Sequence, residues 1–280
     1  MPSSNTDDPA FGRLLEYVED SLQFQTSSYN DAYLDRRVSA RMRRRRVDDY
    51  ETYQEMLQED EEEQQALLDA LSVNVTSFFR NPDVWEALRE VLRDLSSKGS
   101  RRDPIKVWSA ACSDGREAYS LAMLAHDDDQ VDERRIEIVG TDIKREILRA
   151  ARKAEYRASE TNDVAEQLDP IGDWERYVDK DDDIFRVKDK ITDMVRFNRR
   201  DLIREDPPGT FDLVVCRNLF IYINAESKRA VFETLGSALE PEGYLTIGMT
   251  ETIPPRVRRQ FDPVEKRLRI YRATDATVQR

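Results

Sequence analysis

Ile105-Lys106-Val107-Trp108-Ser109-Ala110-Ala111-Cys112-Ser113-Asp114-Gly115-Arg116-Glu117 is the stretch whose reading decides the fold. Residues 107–112 read as a buried strand, ended by a turn of small residues at Ser113, Asp114 and Gly115. A helix follows, with Tyr119, Leu121, Ala122 and Leu124 available for its apolar face. A second strand, 136–141, then delivers Asp142 at its C-terminal end. In open α/β sheets ligands sit beyond the carboxyl ends of the strands, and an acid after the second strand can hold ribose hydroxyls. The turn selects among nucleotide cofactors. A pyrophosphate requires the close backbone approach that three glycines allow, and here Gly115 stands alone behind Ala110, Ala111 and Cys112. A nucleoside cofactor without phosphate is expected, which favours S-adenosylmethionine over NAD.

At 280 residues the chain can bury a full core and accommodates one large and one small domain. It has no apolar run of about eighteen residues and no charged-then-apolar N-terminus, so neither direct membrane insertion nor secretion is expected. The two cysteines, Cys112 and Cys216, end predicted buried strands and read as reduced core thiols. His126 is the only histidine. It reads as a solvated residue at a helix end, and its isolation argues against histidine metal sites and a Ser-His-Asp triad. No metal is expected.

Net charge is −13, and acids run together at 59–63, 127–129 and 179–183. Arginine outnumbers lysine 35 to 9. Self-repulsion of this size is tolerable where salt screens it, so a salt-adapted source, a halophilic archaeon, is expected. The acidic runs read as solvated faces.

Residues 1–72 read as an all-helical N-terminal domain. Asp8-Pro9 is a helix start, followed by Phe11, Leu14, Leu15, Val18 and Leu22 at helical spacing. A second helix is expected over 31–46, with Leu34, Val38 and Met42 on one stripe. A third should begin at Asp48, with Glu51 completing a capping box, and a fourth carries Leu67, Leu68 and Leu71. Residues 73–81 form a linker contributing to the active site, and 82–280 a Rossmann-like domain. There, strands at 107–112, 136–142, 194–198, 213–216 and 244–249 alternate with helices, which implies a mainly parallel sheet. Segments 261–266 and 269–272 close its edge. Residues 154–192 are irregular and charged around Ile184-Phe185-Arg186-Val187, so a small inserted β subdomain is expected there.

Two further segments carry polar groups at element ends. Val73 to Arg80 precedes a helix capped by Asn81-Pro82, and Asn74 and Thr76 within it could equally cap a turn locally. Phe211 to Cys216 is a buried strand that ends in Arg217-Asn218, with Tyr222 four residues on.

Taken together, Asn-x-Thr-x-Phe-Phe-Arg at 74–80, Trp-Ser-Ala-Ala-x-Ser-x-Gly-x-Glu-x-Tyr-Ser at 108–120, Asp142, Cys-Arg-Asn-x-x-Ile-Tyr at 216–222 and Gly-Tyr-Leu-x-x-Gly at 243–248 resemble the chemoreceptor glutamate methyltransferases, the CheR family. The resemblance spans most of the chain. It implies an α/β, Rossmann-like S-adenosylmethionine-dependent methyltransferase domain with a small inserted β subdomain, preceded by an all-helical domain. By position, it implies that Ala111 and Glu117 line the cofactor pocket and that Asp142 holds the ribose. Asp201 and Leu202 would flank the adenine, with Arg217 and Asn218 beneath the methionine portion. Asn74, Thr76, Arg80 and Tyr222 would surround the methyl-transfer centre, Arg80 and Tyr222 as catalytic residues. Two departures stand out: Arg116 lies where the family turn usually has glutamate, and Asp201 where asparagine is frequent.

The implied activity is esterification of glutamate side chains on the cytoplasmic domains of methyl-accepting chemotaxis receptors, with S-adenosylhomocysteine as the second product. A glutamate carboxylate is ionised near neutral pH (reference pKa about 4.3) and is itself a competent nucleophile, so no histidine base is required. Positioning alone can lower such a barrier by roughly 7–11 kcal/mol. Arg36, Arg37, Arg41 and the run Arg43 to Arg46 place seven positive charges in eleven residues. A solvated face is one reading and a phosphate-binding patch another, but aromatic interleaving is sparse and no nucleic-acid partner is expected. The resemblance implies docking on acidic receptor helices through Arg36, Arg37, Arg41, Arg43, Arg44 and Arg45. The protein is expected to be a cytoplasmic monomer recruited to membrane receptor arrays. An S-adenosylmethionine enzyme acting on RNA or a small molecule, or a silent binding module, are the competing readings. The Asn-Pro-Pro-Tyr motif of amino-group methyltransferases is missing, and Arg80, Asp142, Asn218 and Tyr222 are all present.

Overall fold

The computed structural model describes residues 8–22, 24–71, 76–98 and 103–274. These fall into two compact units, one within Met1–Asn74 together with Phe220–Lys228, the other within Val75–Leu219 together with Arg229–Arg280.

In the first unit α1 (Pro9–Asp20) starts as the sequence dictates, with proline in the first turn and the Asp8 carboxylate accepting the Ala10 N–H at 2.8 Å. Its buried face is Ala10, Phe11, Leu14 and Val18. Helix α2 (Asp31–Arg45) buries Tyr33, Leu34, Val38 and Met42 and ends at Arg46 in the left-handed region (φ 60°), with three arginines in its last turn beside the C-terminal carbonyls. The cap of α3 (Tyr50–Glu59) is Asp49, not the expected Asp48. Asp49 has the extended backbone a cap requires and accepts from the Thr52 amide at 2.8 Å, while Glu51 pairs with Arg13 and closes no capping box. Helix α4 (Glu61–Leu71) buries Leu67 and Leu71 and, against expectation for an acidic run, Glu63. Arg41 and Tyr53 supply the reason, as both donate to its carboxylate. The Phe220–Lys228 segment joins this unit through main-chain bonds: Asn30 N–H to the Tyr222 carbonyl (2.9 Å) and Asn224 N–H to the Ser28 carbonyl (3.0 Å).

The second unit opens with α5 (Pro82–Ser97). It continues through β1 (Ile105–Ala110), α6 (Arg116–Asp127), β2 (Ile136–Asp142), α7 (Arg145–Lys153), β3 (Glu155–Arg157), α8 (Val164–Leu168), β4 (Val178–Asp181), β5 (Ile184–Val187), α9 (Asp189–Thr192), β6 (Val195–Arg199), β7 (Phe211–Cys216), α10 (Ala225–Ser237, which belongs to this unit from Arg229 on), β8 (Leu239–Ile247), β9 (Phe261–Glu265) and β10 (Ile270–Ala273). The main sheet runs β6-β2-β1-β7-β8-β10-β9. Its first five strands are parallel, β10 pairs antiparallel with β8, and β9 pairs antiparallel with β10. This is a Rossmann-like sheet whose strand order reverses at β1, the place where open α/β sheets bind ligands. Strands β1 and β7 are buried on both faces over most of their length, as central parallel strands are. Trp108 donates its indole N–H to Thr141 at 2.9 Å and stacks on Phe211.

Strand β2 has the expected bounds, and others shift. β1 begins two residues early and releases Ala111 and Cys112 into the turn, where Ala111 has φ 58°. β8 begins at Leu239 and leaves out Met249, with an irregular register opposite Phe211 and Leu213. The irregular stretch after Ala154 contains a three-stranded antiparallel sheet, β3-β5-β4. Two surface expectations fail here. Asp128 is buried, its carboxylate accepting from Arg93, Arg89 and the Gln130 amide. His126 is half-buried and packs edge-on against Tyr177 at 5.6 Å. Both cysteines are free and buried.

Candidate active site

Beyond β1 the chain makes a sharp turn through Ala111 (φ 58°), Ser113 (φ 53°) and Gly115 (φ 88°) before α6 begins. Only glycine fits at 115, because a Cβ there would lie 2.8 Å from the Phe197 ring as well as requiring the left-handed backbone. The acid at the end of β2 reaches back to this turn. One Asp142 oxygen accepts the Ser113 N–H at 3.0 Å and the other the Lys144 N–H at 3.1 Å. Burial pushes the Asp142 carboxyl above its ordinary range, against the pull of the Lys144 and Ser113 amides. A carboxylate has about four lone-pair sites, so each oxygen can accept a hydroxyl as well. Ser113 Oγ is buried without a hydrogen-bond partner, and next to Asp142 the exposed side chain of Ile143 presents an apolar surface. An acceptor pair, an orphaned hydroxyl and an apolar plate suit a nucleoside.

A second set of groups meets beneath this turn. Glu117, in the first turn of α6, is buried. It accepts from Ser109 Oγ at 2.9 Å and lies 3.6 Å from the Arg217 guanidinium. Burial raises its pKa, opposed chiefly by Arg217 and Ser109. The Arg217 side chain is itself buried, and burial lowers its pKa. It donates to the Arg80 carbonyl at 2.7 Å and to Asn81 Oδ1 at 2.9 Å, and lies over the Trp85 ring. The expected side-chain cap by Asn81 is therefore not made; Asn81 occupies the cap position with φ 61°, its oxygen given to Arg217. Trp85 also donates its indole N–H to the Arg80 carbonyl at 3.0 Å. The backbone from which the Arg80 side chain projects is thus fixed by two donors.

Asn218 (φ 63°) follows Arg217, and its amide donates to Glu251 Oε2 at 3.1 Å. Glu251 is buried and also accepts the Gly248 amide at 2.6 Å. Gly248 has no room for a side chain, since a Cβ would sit 2.5 Å from that carboxylate. Sequence reading missed Glu251, whose bonds to the Gly248 and Asn218 amides leave no side-chain pattern to find. Ile143 was missed as well, although its position directly after the strand-end acid could have signalled it. Asp201 is buried and spends Oδ1 on the Ile203 and Arg204 amides of its own turn; Leu202 is buried beside it. The Thr76 carbonyl accepts from Arg116 at 3.0 Å, and Asn74 lies outside the described residues.

Comparison with known proteins shows the family. Residues 74–270 match the model of the CheR methyltransferase SAM binding domain, and residues 9–72 that of the CheR methyltransferase all-alpha domain. The chain belongs to the CheR methyltransferase family. It is an S-adenosylmethionine-dependent methyltransferase. It is similar to the chemotaxis protein methyltransferase of Listeria monocytogenes, 32% identical over 237 residues that span 84% of this chain and 87% of the relative. The Salmonella typhimurium chemotaxis protein methyltransferase is 28% identical over 256 residues, 90% of this chain and 86% of the relative. Chemotaxis protein methyltransferase 1 of Pseudomonas aeruginosa is 34% identical over 195 residues, covering 67% and 69%.

In this CheR chain the residues of the Cys216–Tyr222 motif divide between units. Arg217 and Asn218 belong with the sheet, whereas Tyr222 belongs with the helices, half-buried with its ring 5.1 Å from that of Tyr33. The basic helix α2 also divides. Arg41 forms a two-bond pair with buried Glu63 at 2.5 and 3.0 Å, and Arg45 pairs with Asp60 at 2.7 Å. Arg36 and Arg37 lie over the Tyr33 ring, while Arg43 and Arg44 are exposed. Arg41 and Arg45 are both paired inside the helical unit, which leaves Arg36, Arg37, Arg43 and Arg44 as the candidates for an outside partner. No helix of the described residues is long and apolar enough to cross a membrane.

Proposed function

We propose that this CheR-family enzyme methylates glutamate side chains on the cytoplasmic domains of methyl-accepting chemotaxis receptors, forming methyl esters in adaptation. The observation that carries this reading is that both family domains match in order along one chain, and that relatives named chemotaxis protein methyltransferase align over 84% and 90% of it. The proposed division is a helical domain over 1–72, a linker over 73–81 and a methyltransferase domain over 82–280.

The cofactor, when bound, supplies a methyl group activated by its sulfonium. Asp142 would hold the ribose hydroxyls, and Ile143 and Leu202 would cover the base. Ser113 Oγ would gain a partner. Ala111, Asp201, Asn218 and Glu117 would complete the pocket, and the family motif assigns Asn74 and Thr76 to the methyl-transfer centre. Arg217 is assigned to holding Glu117 and the Arg80 backbone. Arg80 is the residue that orients the substrate carboxylate, through a forked contact. The carboxylate is ionised at neutral pH and requires no base. Arg80 must not hold it too tightly, because an arginine that stabilises the ground state more than the transition state slows the reaction. Tyr222 is proposed as a second donor on the strength of the family motif.

Arg36, Arg37, Arg43 and Arg44 are proposed to dock on acidic receptor helices. The protein would act as a monomer, in the cytoplasm, recruited to receptor arrays. A salt-adapted source, a halophilic archaeon, is supported by the net charge of −13 and the arginine excess. Near 1 M salt the screening length is about 3 Å, so docking would rely on direct contacts.

The test is transfer of labelled methyl from S-adenosylmethionine to a purified receptor cytoplasmic domain at high salt, followed by mild alkali. Carboxyl methyl esters release volatile methanol and methylated nitrogen does not. Label that survives alkali, or no label on a receptor while cofactor still binds, refutes the reading.

A further inference from the structure

Arg116, which stands where the family turn usually has an acid, is the first residue of α6 and ties that helix to the segment that begins at Thr76. Its Nη1 donates to the Thr76 carbonyl at 3.0 Å and to Asn162 Oδ1 at 3.4 Å. Its guanidinium covers the ring of Tyr156 at 4.9 Å and lies 5.9 Å from that of Phe78. Asp114 Oδ2 is 3.6 Å from its Nε. Asn162 is oriented by donating its Nδ2 to the Arg157 carbonyl at 2.7 Å, which leaves Oδ1 to accept from both Arg116 and Gln167 Nε2 (2.8 Å). Gln167, on α8, uses its own Oε1 to accept the Phe78 N–H at 3.2 Å. Ser120 completes the frame: its Oγ donates to the Arg116 carbonyl at 2.7 Å and accepts the Phe79 N–H at 3.1 Å.

Thr76, Phe78 and Phe79 are therefore each tied by one main-chain bond to this network, and Arg217 and Trp85 hold the Arg80 carbonyl at the far end. We propose that Arg116, with Asn162 and Gln167 of the inserted region, is a positioning device that sets the backbone of residues 76–79 and through it the aim of the Arg80 side chain. Arg116 acts on transfer and not on cofactor capture. Its planar fork serves two acceptors at once while its face covers an aromatic ring, a combination lysine reproduces only in part. The inserted region is on this account a structural arm of the reaction centre.

The inference rests on the proposed function for its kinetic readout, and a second readout is independent of it. Arg116→Met retains length and apolar contact with Tyr156 but removes the donors. In the full-length enzyme kcat on the receptor domain should fall roughly ten- to a hundredfold, the scale of a small misplacement near a reacting centre. Cofactor Kd, by calorimetry, should stay within about twofold, and Arg116→Lys should recover part of the loss. Gln167→Ala should show the same signature more weakly, and it keeps the test open should Arg116→Met not fold. In Gln167→Ala the Phe78 amide loses its acceptor and should exchange with solvent about fivefold faster, the scale of one lost hydrogen bond. In Arg116→Met the same amide should exchange faster because Asn162, and through it Gln167, loses the guanidinium that orders it. Unchanged kcat, or a Kd that rises in proportion as kcat falls, overturns the proposal. Failure of the wild type to methylate any receptor would refute the functional reading alone. In that case amide exchange decides for Arg116, and unaltered exchange sinks the idea.

Discussion

The Ser113 amide donates to Asp142 Oδ2 at 3.0 Å, so the acid that ends β2 is aimed by the turn that follows β1. Two sequence features 29 residues apart form one part of the candidate site. Because the Lys144 amide holds the other oxygen, the carboxylate is fixed in its plane before any ligand arrives.

Replacing Asp142 by alanine should weaken S-adenosylmethionine binding by roughly ten- to a hundredfold, since each hydrogen bond to a charged group is worth about 1.5–3 kcal/mol. The pH dependence has a definite sign. The carboxylate accepts hydroxyls only when ionised, and burial raises its pKa. Affinity should therefore fall as pH drops through a value above the ordinary carboxylate range near about 4. Calorimetry from neutral to acid pH would check this, with Asp142→Asn showing weaker binding and a flatter profile. A wild-type affinity that stays level down to the ordinary range removes Asp142 from the ribose site.

Arg217→Met should destabilise the sheet unit by about 3–5 kcal/mol, because it strips a buried carboxylate of its cation. Glu117 already has a raised pKa. A raised folded pKa gives stability that is full below the unfolded value and lost as pH rises through the folded one. Removing Arg217 raises the Glu117 pKa further, so the penalty should be largest at neutral pH and shrink as pH falls. Adding Glu117→Gln should recover part of the loss. Denaturant melts at neutral and acid pH measure both, and a penalty independent of pH would place the cost in packing.

How far these features could be read in the chain depends on whether their partners are local. Asp8 with Pro9 marks a helix start because capping acts across two residues. Strand β2 keeps its expected bounds because an apolar run with an acid at its end leaves little choice. Asp48 and Asp49 compete for one cap, and backbone conformation, which composition does not encode, selects Asp49. Glu63 and Asp128 sit in charge runs that resemble surface. They are buried because Arg41 comes from 22 residues away and Arg93 from 35. The role of Arg116 was similarly hidden, since its acceptors on Thr76 and Asn162 lie 40 and 46 residues distant.

The arginines of α2 should separate in experiment. Burial pushes the Glu63 carboxyl up, but the Arg41 and Tyr53 hydrogen bonds and the charges of Arg41 and Arg45 outweigh it and leave the pKa low. A depressed folded pKa gives stability that is present above the unfolded value and lost as pH falls through the folded one. Arg41→Met should therefore cost about 3–5 kcal/mol at neutral pH, with less lost in acid. Arg43→Ala and Arg44→Ala are surface changes that should cost within about 0.5 kcal/mol while reducing the rate on the receptor domain. If they leave that rate untouched, α2 is not the docking helix.

Arg80→Ala should lower kcat by roughly one to two orders of magnitude, the range expected when a reacting group loses its orientation. The Arg80 backbone is held through its carbonyl by Arg217 and Trp85, and neither bond involves the Arg80 side chain. Those two bonds to the carbonyl should survive the substitution. Cofactor affinity should change far less than kcat, and parallel loss of both would reassign Arg80 to cofactor contact. Arg80→Lys should recover little, because an ammonium cannot offer the planar two-bond contact to a carboxylate. Tyr222→Phe supplies the comparison. It removes one hydroxyl and leaves the ring on Tyr33, so its cost in kcat should be smaller than that of Arg80→Ala. A larger effect from Tyr222→Phe would transfer the leading role in orienting the carboxylate from the arginine to the tyrosine.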